Sequence, residues 1–220
     1  MALRWRPTEQ TPRFAFLLAA MFSEILLAPI IVASPFGLVG ARVVTALMLV
    51  AALAAIGTRR LSIALFTLAA VTHVLALLRP QPTAVLVATV LQIVFLAYVC
   101  GQVIARVLRE RNVTYDTLAG AACGYLLLGL VWGELFVLNQ LLQPGAFEIP
   151  AGFAVGQPGD SRAALIYFSF VTLTTLGYGY VHPNNPGAGG LAVSEAIVGQ
   201  FYMAVMVARL VGLNLADRGR

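Results

Sequence analysis

Lysine is absent from this chain: all 14 basic residues among its 220 are arginine. Charge of either sign is scarce at 10% of residues, where a soluble domain carries roughly 25%. That scarcity excludes an ordinary soluble fold. No basic cluster is large enough for a nucleic-acid face, so the net charge of +5 implies no nucleic-acid partner. Cysteine is limited to Cys100 and Cys123, both inside apolar runs, which reads as two small buried thiols rather than a disulfide or metal site. The acidic residues and the two histidines show no H-E-x-x-H spacing, and no G-x-S-x-G elbow occurs. No enzyme, metal catalyst or bound cofactor is expected.

What the chain has in abundance is apolar length. Hydrophobic residues make up 60% of it, and the mean hydropathy is +0.89. The apolar material falls into runs of about 20 residues, each able to cross a bilayer as a helix. Residues 1–13 are polar, with Arg4, Arg6 and Arg13. The run from Phe14 to Ala33 is long for a signal-peptide core and lacks a clean cleavage site, so it reads as a membrane anchor. Ser34-Pro35 ends it, and further spans follow at Phe36–Gly57, Leu61–Leu78 and Thr83 to about Leu108. Residues 110–116 open a fifth span that continues through Leu138. The stretch 139–160, with Pro144, Pro150, Pro158 and four glycines, reads as an extramembrane loop.

Asp160-Ser161 is a plausible N-cap for a helix from Arg162 to about Leu173. At about 18 Å this helix is too short to span, so it should be re-entrant. Residues 182–190 return to the surface, and a last span runs from about Leu191 to Leu213. The expected fold is an all-α polytopic membrane protein of six transmembrane helices, with a re-entrant helix between the fifth and sixth. Residues 1–111 form a four-helix region and 112–220 a second unit. With both termini inside, eleven arginines face inward and only Arg42, Arg79 and Arg162 face outward, a strong positive-inside bias. The expected location is the cell membrane, multi-pass, with cytoplasmic termini.

The re-entrant helix runs into the sequence TLTTLGYGY. Non-helical backbone at membrane depth survives only where protein encloses it or where it lines a wet cavity. Thr172, Thr175, Gly177, Tyr178 and Gly179 fill every specified position of T-x-x-T-x-G-Y-G. The stretch resembles the selectivity filter of potassium channels, and the order span, loop, short helix, filter, span resembles their pore domain over roughly Asn112–Asp217.

The resemblance implies that carbonyls of Thr175, Leu176, Gly177 and Tyr178 ligate K+, the permeant ion, with the Thr175 hydroxyl as innermost ligand. Gly177 and Gly179 would supply the backbone freedom, and the Tyr178 ring would pack against the short helix. One chain gives a quarter of the ring, so a homotetramer in a lipid bilayer is implied. Thr172, Thr174, Tyr167, Phe168, Tyr180 and Glu134 are candidate filter supports. Gly199, twenty positions after Gly179, is either an inner-helix hinge or a close packing point, and Met206, Gln200 and Tyr202 are candidate cavity or gate residues.

Tyr180 departs from the pattern, since an Asp usually follows the second Gly and bonds to an aromatic of the short helix. Leu176 stands where Val is commonest. His182 either titrates near the outer mouth or is a solvated loop residue. Glu134 is expected to bond backbone of the short or last helix. Glu195 lies near the outer interface or behind the filter. Glu24 is either neutral or paired with Gln92, His73 or Arg42, with a proton-coupling role also open. The fourth span has no basic residue between Thr83 and Ala105, only Arg106 and Arg109 at its end, so steep voltage gating is not expected. The first four helices instead dock on the pore, bind lipid, meet a regulatory partner or sense membrane state. No nucleotide- or calcium-binding domain is expected after the last span.

The leading expectation is passive potassium conduction. The alternatives are a weakly selective monovalent cation channel, an ion-transporter subunit, and a nonconducting membrane protein.

Overall fold

The computed structural model describes residues 13–32, 37–57, 60–78, 81–151 and 161–218. Seven helices and two very short strands follow in the order α1 Arg13–Val32, α2 Gly37–Ile56, α3 Arg60–Leu78, α4 Pro82–Arg109, α5 Tyr115–Leu142, β1 Phe147–Glu148, α6 Arg162–Leu173, β2 His182–Pro183 and α7 Pro186–Arg218. The chain is mostly helical. Among the described residues, three helices are long and apolar enough to cross a membrane, namely α4, α5 and the Pro186–Leu215 part of α7. The first three are shorter by that measure, with apolar described stretches of Phe14–Leu27, Val43–Ile56 and Arg60–Ala76. Asp160, Arg59 and Arg79, and the turn at Ser34-Pro35, lie outside the described residues.

Helix starts follow local chemistry. Pro82 opens α4, where a missing N–H is harmless. Thr114 and Thr117 form a reciprocal capping box at α5: the Thr117 amide donates to the Thr114 hydroxyl at 3.1 Å, and the Thr114 amide to the Thr117 hydroxyl at 3.3 Å. The last helix begins earlier than Leu191. Asn185 accepts from the Ala188 amide at 2.8 Å and Pro186 takes the first helical position, so residues 186–190 are helix rather than surface loop. At α6 the Ser161 side chain makes no cap bond, which corrects that half of the expected cap.

α5 is the central helix, packing on α1, α4, α6 and α7. Apolar burial gives little drive between helices in lipid, so close contact must do the holding, and small residues permit it. A Cβ at Gly124 would lie 2.5 Å from the Tyr202 hydroxyl, and one at Gly129 2.5 Å from the Phe170 ring. One at Gly133 would sit 3.1 Å from the Ile166 backbone. The glycines of α5 thus set how near α6 and α7 can come. A separate core joins α1, α2, α4 and α5 through Leu17, Met21, Met48, Phe95, Val99 and Leu127, all buried. Cys100 and Cys123 are both buried and unpaired as thiols.

Candidate functional site

The backbone leaving α6 is unusual. The Thr174 amide donates to the Phe170 carbonyl and that of Thr175 to Thr172, both at 3.0 Å. The Val171 carbonyl then accepts from both Leu176 (2.9 Å) and Gly177 (3.4 Å), tying the start of the TTLGYG segment to the last turn of the helix. From Thr174 to Gly179 no carbonyl accepts a backbone hydrogen bond among the described residues, and all six residues are exposed. Thr175, Gly177 and Gly179 have φ of 58°, 65° and 76°, while Leu176 and Tyr178 between them are not positive. Left-handed geometry costs a residue with a Cβ about 1–2 kcal/mol. Thr175 is β-branched as well, so its conformation has to be imposed by its neighbours. Added Cβ atoms at Gly177 and Gly179 would touch nothing, so glycine is required there for its dihedral and not for space.

Three anchors fix α6 along its length. At its first residue, Arg162 donates through Nη1 to Glu134 Oε1 at 2.5 Å and to Gln92 Oε1 at 3.3 Å, and through Nη2 to Thr89 Oγ1 at 3.1 Å. Gln92 Nε2 donates to the same Glu134 oxygen at 3.2 Å, closing a ring of α4, α5 and α6 side chains. In the middle, the Ser169 hydroxyl lies 2.6 Å from the Gly129 carbonyl oxygen and 2.5 Å from Glu195 Oε1. At the end, the Tyr125 hydroxyl donates to the Leu173 carbonyl at 3.0 Å. There α7 also comes close, since a Cβ at Gly199 would lie 2.7 Å from Leu173 Cδ1 and 3.0 Å from its carbonyl oxygen.

Beyond the segment, Tyr180 is exposed and its ring lies 6.2 Å from that of Tyr178. The Tyr178 ring is 59% exposed in the single chain. Phe168 points the other way, packing its ring on Phe136 and Phe147 at 5.1 and 5.5 Å. It buttresses α5 and β1, in the same buried cluster as Val181 just beyond the segment. The chain after Tyr180 is then stitched to the end of α5: β2 pairs with β1, the Asn184 amide donates to the Ala146 carbonyl at 2.8 Å, and His182 Nε2 sits 3.3 Å from Glu148.

Several expected roles change. Glu134 bonds the Arg162 and Gln92 side chains, placing a carboxylate beside a cation that the helix N-terminus opposes. Glu195 is fully buried, its Oε1 2.5 Å from the Ser169 hydroxyl in the middle of α6. Glu24 accepts from the Thr45 hydroxyl at 2.7 Å, whereas Gln92 is engaged at Glu134. Met206 is buried against Val107 and Ala121, with Tyr202 and Leu210 beside it, and the Tyr202 hydroxyl donates to the Ala121 carbonyl at 2.6 Å. Both side chains therefore turn toward α4 and α5, while Gln200 remains exposed. α7 is continuous past Gly199, and the feature the structure gives that residue is close packing on Leu173.

Arg162, Thr89, Ser169 and Tyr125 were not singled out from the sequence. Arginine at the first position of a short apolar helix was the available signal, since the helix dipole opposes it. The hydroxyls carried none.

One family model, described as ion channel, matches residues 122–214, which run from within α5 through α6 to most of α7. That stretch is similar to an ion-channel domain, and residues 1–121 lie outside the match. No curated protein matches the sequence.

Proposed function

We propose that four copies of this chain form a potassium-selective channel in the cell membrane, each with six spans and cytoplasmic termini, conducting passively. The observation that carries the reading is the alternation of positive and non-positive φ from Thr175 to Gly179, with carbonyls left without backbone partners. Alternating handedness turns successive amides to one side and carbonyls to the other. Four such strands around an axis give stacked rings of oxygens able to replace the hydration shell of a cation. K+ would be held by carbonyls of Thr175, Leu176, Gly177 and Tyr178, with the Thr175 hydroxyl at the inner end. The C-terminus of α6 directs the negative end of its dipole toward the same region. The exposed face of α7, including Phe201 at 68% exposure, supplies surface for neighbouring copies.

α4 carries basic residues only in its last turn, Arg106 and Arg109, which leaves voltage little charge to act on. A second reading, a weakly selective cation channel, is favoured by one feature: Tyr180 is exposed where a carboxylate would brace the filter.

Reversal potentials of the purified protein in planar bilayers, under opposed K+ and Na+ gradients, separate these readings. Potassium selectivity predicts a potential that follows the K+ gradient. Gly177→Ala and Tyr178→Ala should abolish selective flux. A potential indifferent to the K+ gradient sinks the potassium reading, and flux surviving both substitutions sinks the pathway.

A further inference from the structure

We propose that Arg162 is a positioning residue for the filter, and that it acts by bolting the pore helix to α4, so that selectivity depends on the N-terminal bundle. The inference rests on the channel reading above.

Four observations lead to it. Arg162 is the first residue of α6 and contacts two other helices at once, α5 through Glu134 and α4 through Thr89 and Gln92. Its partners are enclosed: Thr89 is 0%, Gln92 3% and Glu134 2% exposed. A guanidinium at a helix N-terminus is disfavoured by the dipole, so its place there is set by those partners and not by local propensity. Finally, the filter has no slack against α6, because Val171 in the last turn accepts from both Leu176 and Gly177. A displacement of the first residue of a 12-residue rigid helix is thus carried to the filter backbone.

Tyr180 stands where the resemblance would put a carboxylate, and Phe168 packs in the Phe136–Phe147 cluster. Besides the contacts that stitch residues 182–184 to the end of α5, the Arg162 bonds hold the far end of the pore helix. The planar fork of arginine suits this task. It presents Nη1 to Glu134 and Gln92 while Nη2 reaches Thr89, a geometry the single ammonium of lysine does not reproduce. α4 lies outside the matched ion-channel stretch.

The test uses Thr89→Val and Gln92→Leu, singly and together, in the full chain. Two quantities are read: the Na+/K+ permeability ratio in bilayers, and hydrogen exchange at the Leu176 and Gly177 amides. The expected result is a several-fold rise in the ratio and faster exchange at both amides, with Arg162→Lys giving the same direction. A merely structural role would lower the amount of folded protein while leaving the permeability ratio of the surviving channels unchanged.

An unchanged ratio together with unchanged exchange in the double variant overturns the inference while leaving a selective wild type intact. Should the wild type itself prove unselective, the channel reading fails separately. Exchange then decides alone: faster exchange supports the bolt and unchanged exchange removes it. If the double variant does not assemble, Thr89→Val alone removes one 3.1 Å bond and carries both readouts.

Discussion

Single residues here act mainly by fixing how close backbones come. Gly199 is the clearest case, because its neighbour is the Leu173 carbonyl as well as the Leu173 side chain. Gly199→Ala should destabilise the protein by about 1–3 kcal/mol through overpacking, seen as a lower unfolding temperature in detergent. Adding Leu173→Ala should recover only part of the loss, since the methyl group would still meet the carbonyl. Full recovery would place the clash in the side chain alone. Arg162 illustrates the electrostatic counterpart. Its removal as Arg162→Gln leaves Glu134, 2% exposed, without its cation. The expected cost is about 3–5 kcal/mol in thermal or denaturant unfolding. Arg162→Gln combined with Glu134→Gln should be less damaging than Arg162→Gln by itself, because no buried charge is stranded.

At the scale of elements, the start of α7 depends on the Asn185–Pro186 pair. Asn185→Ala should cost about 1 kcal/mol and speed hydrogen exchange at residues 186–190 while leaving the middle of α7 protected. Uniform loss of protection along α7 would refute this local role.

The same element shows what sequence could and could not reveal. α4 and α6 were legible because apolar runs ended at prolines or polar residues. The first turn of α7 was not, since Gly187, Gly189 and Gly190 masked an Asn-Pro helix start. The β1–β2 pairing was invisible, being two residues long and joined across more than 30 positions. In the site, the T-x-x-T-x-G-Y-G pattern marked the segment because its residue types are tied to local backbone conformation. The anchors were not legible, because Arg162 meets Gln92 and Thr89 across 70 and 73 positions, and no local pattern encodes such a meeting.

For the molecule as a whole, the uneven coverage of the helices is the informative property. α5 is enclosed on several sides, whereas α7 leaves Val193, Ile197, Phe201 and Val205 open. In a tetramer part of that face meets other copies. Phe201→Asp should therefore shift the purified protein from tetramer toward monomer in size-exclusion with light scattering, while its helical circular dichroism persists. A tetramer that tolerates the charge would assign Phe201 to lipid or to the cavity instead. The N-terminal bundle belongs to the same body through α4 and α1, both packed on α5. Removing it should strip α5 and α6 of buried partners, so the segment 112–220 alone is expected to be less stable than the full chain.

The Ser169 contacts have a consequence in proton number. One hydroxyl hydrogen cannot be donated to two oxygens in full, yet the Gly129 carbonyl and Glu195 Oε1 both lie at hydrogen-bond distance. Both contacts are complete only if the carboxyl itself brings a hydrogen, with Glu195 donating to Ser169 and Ser169 to Gly129. The junction of α5, α6 and α7 would then hold an integer two hydrogens, one of them exchangeable with bulk only when the helices part. Infrared difference spectra in heavy water should show a carboxylic-acid carbonyl band that Glu195→Gln removes and that shifts slowly. A carboxylate band in its place would mean that Ser169 serves one oxygen at a time.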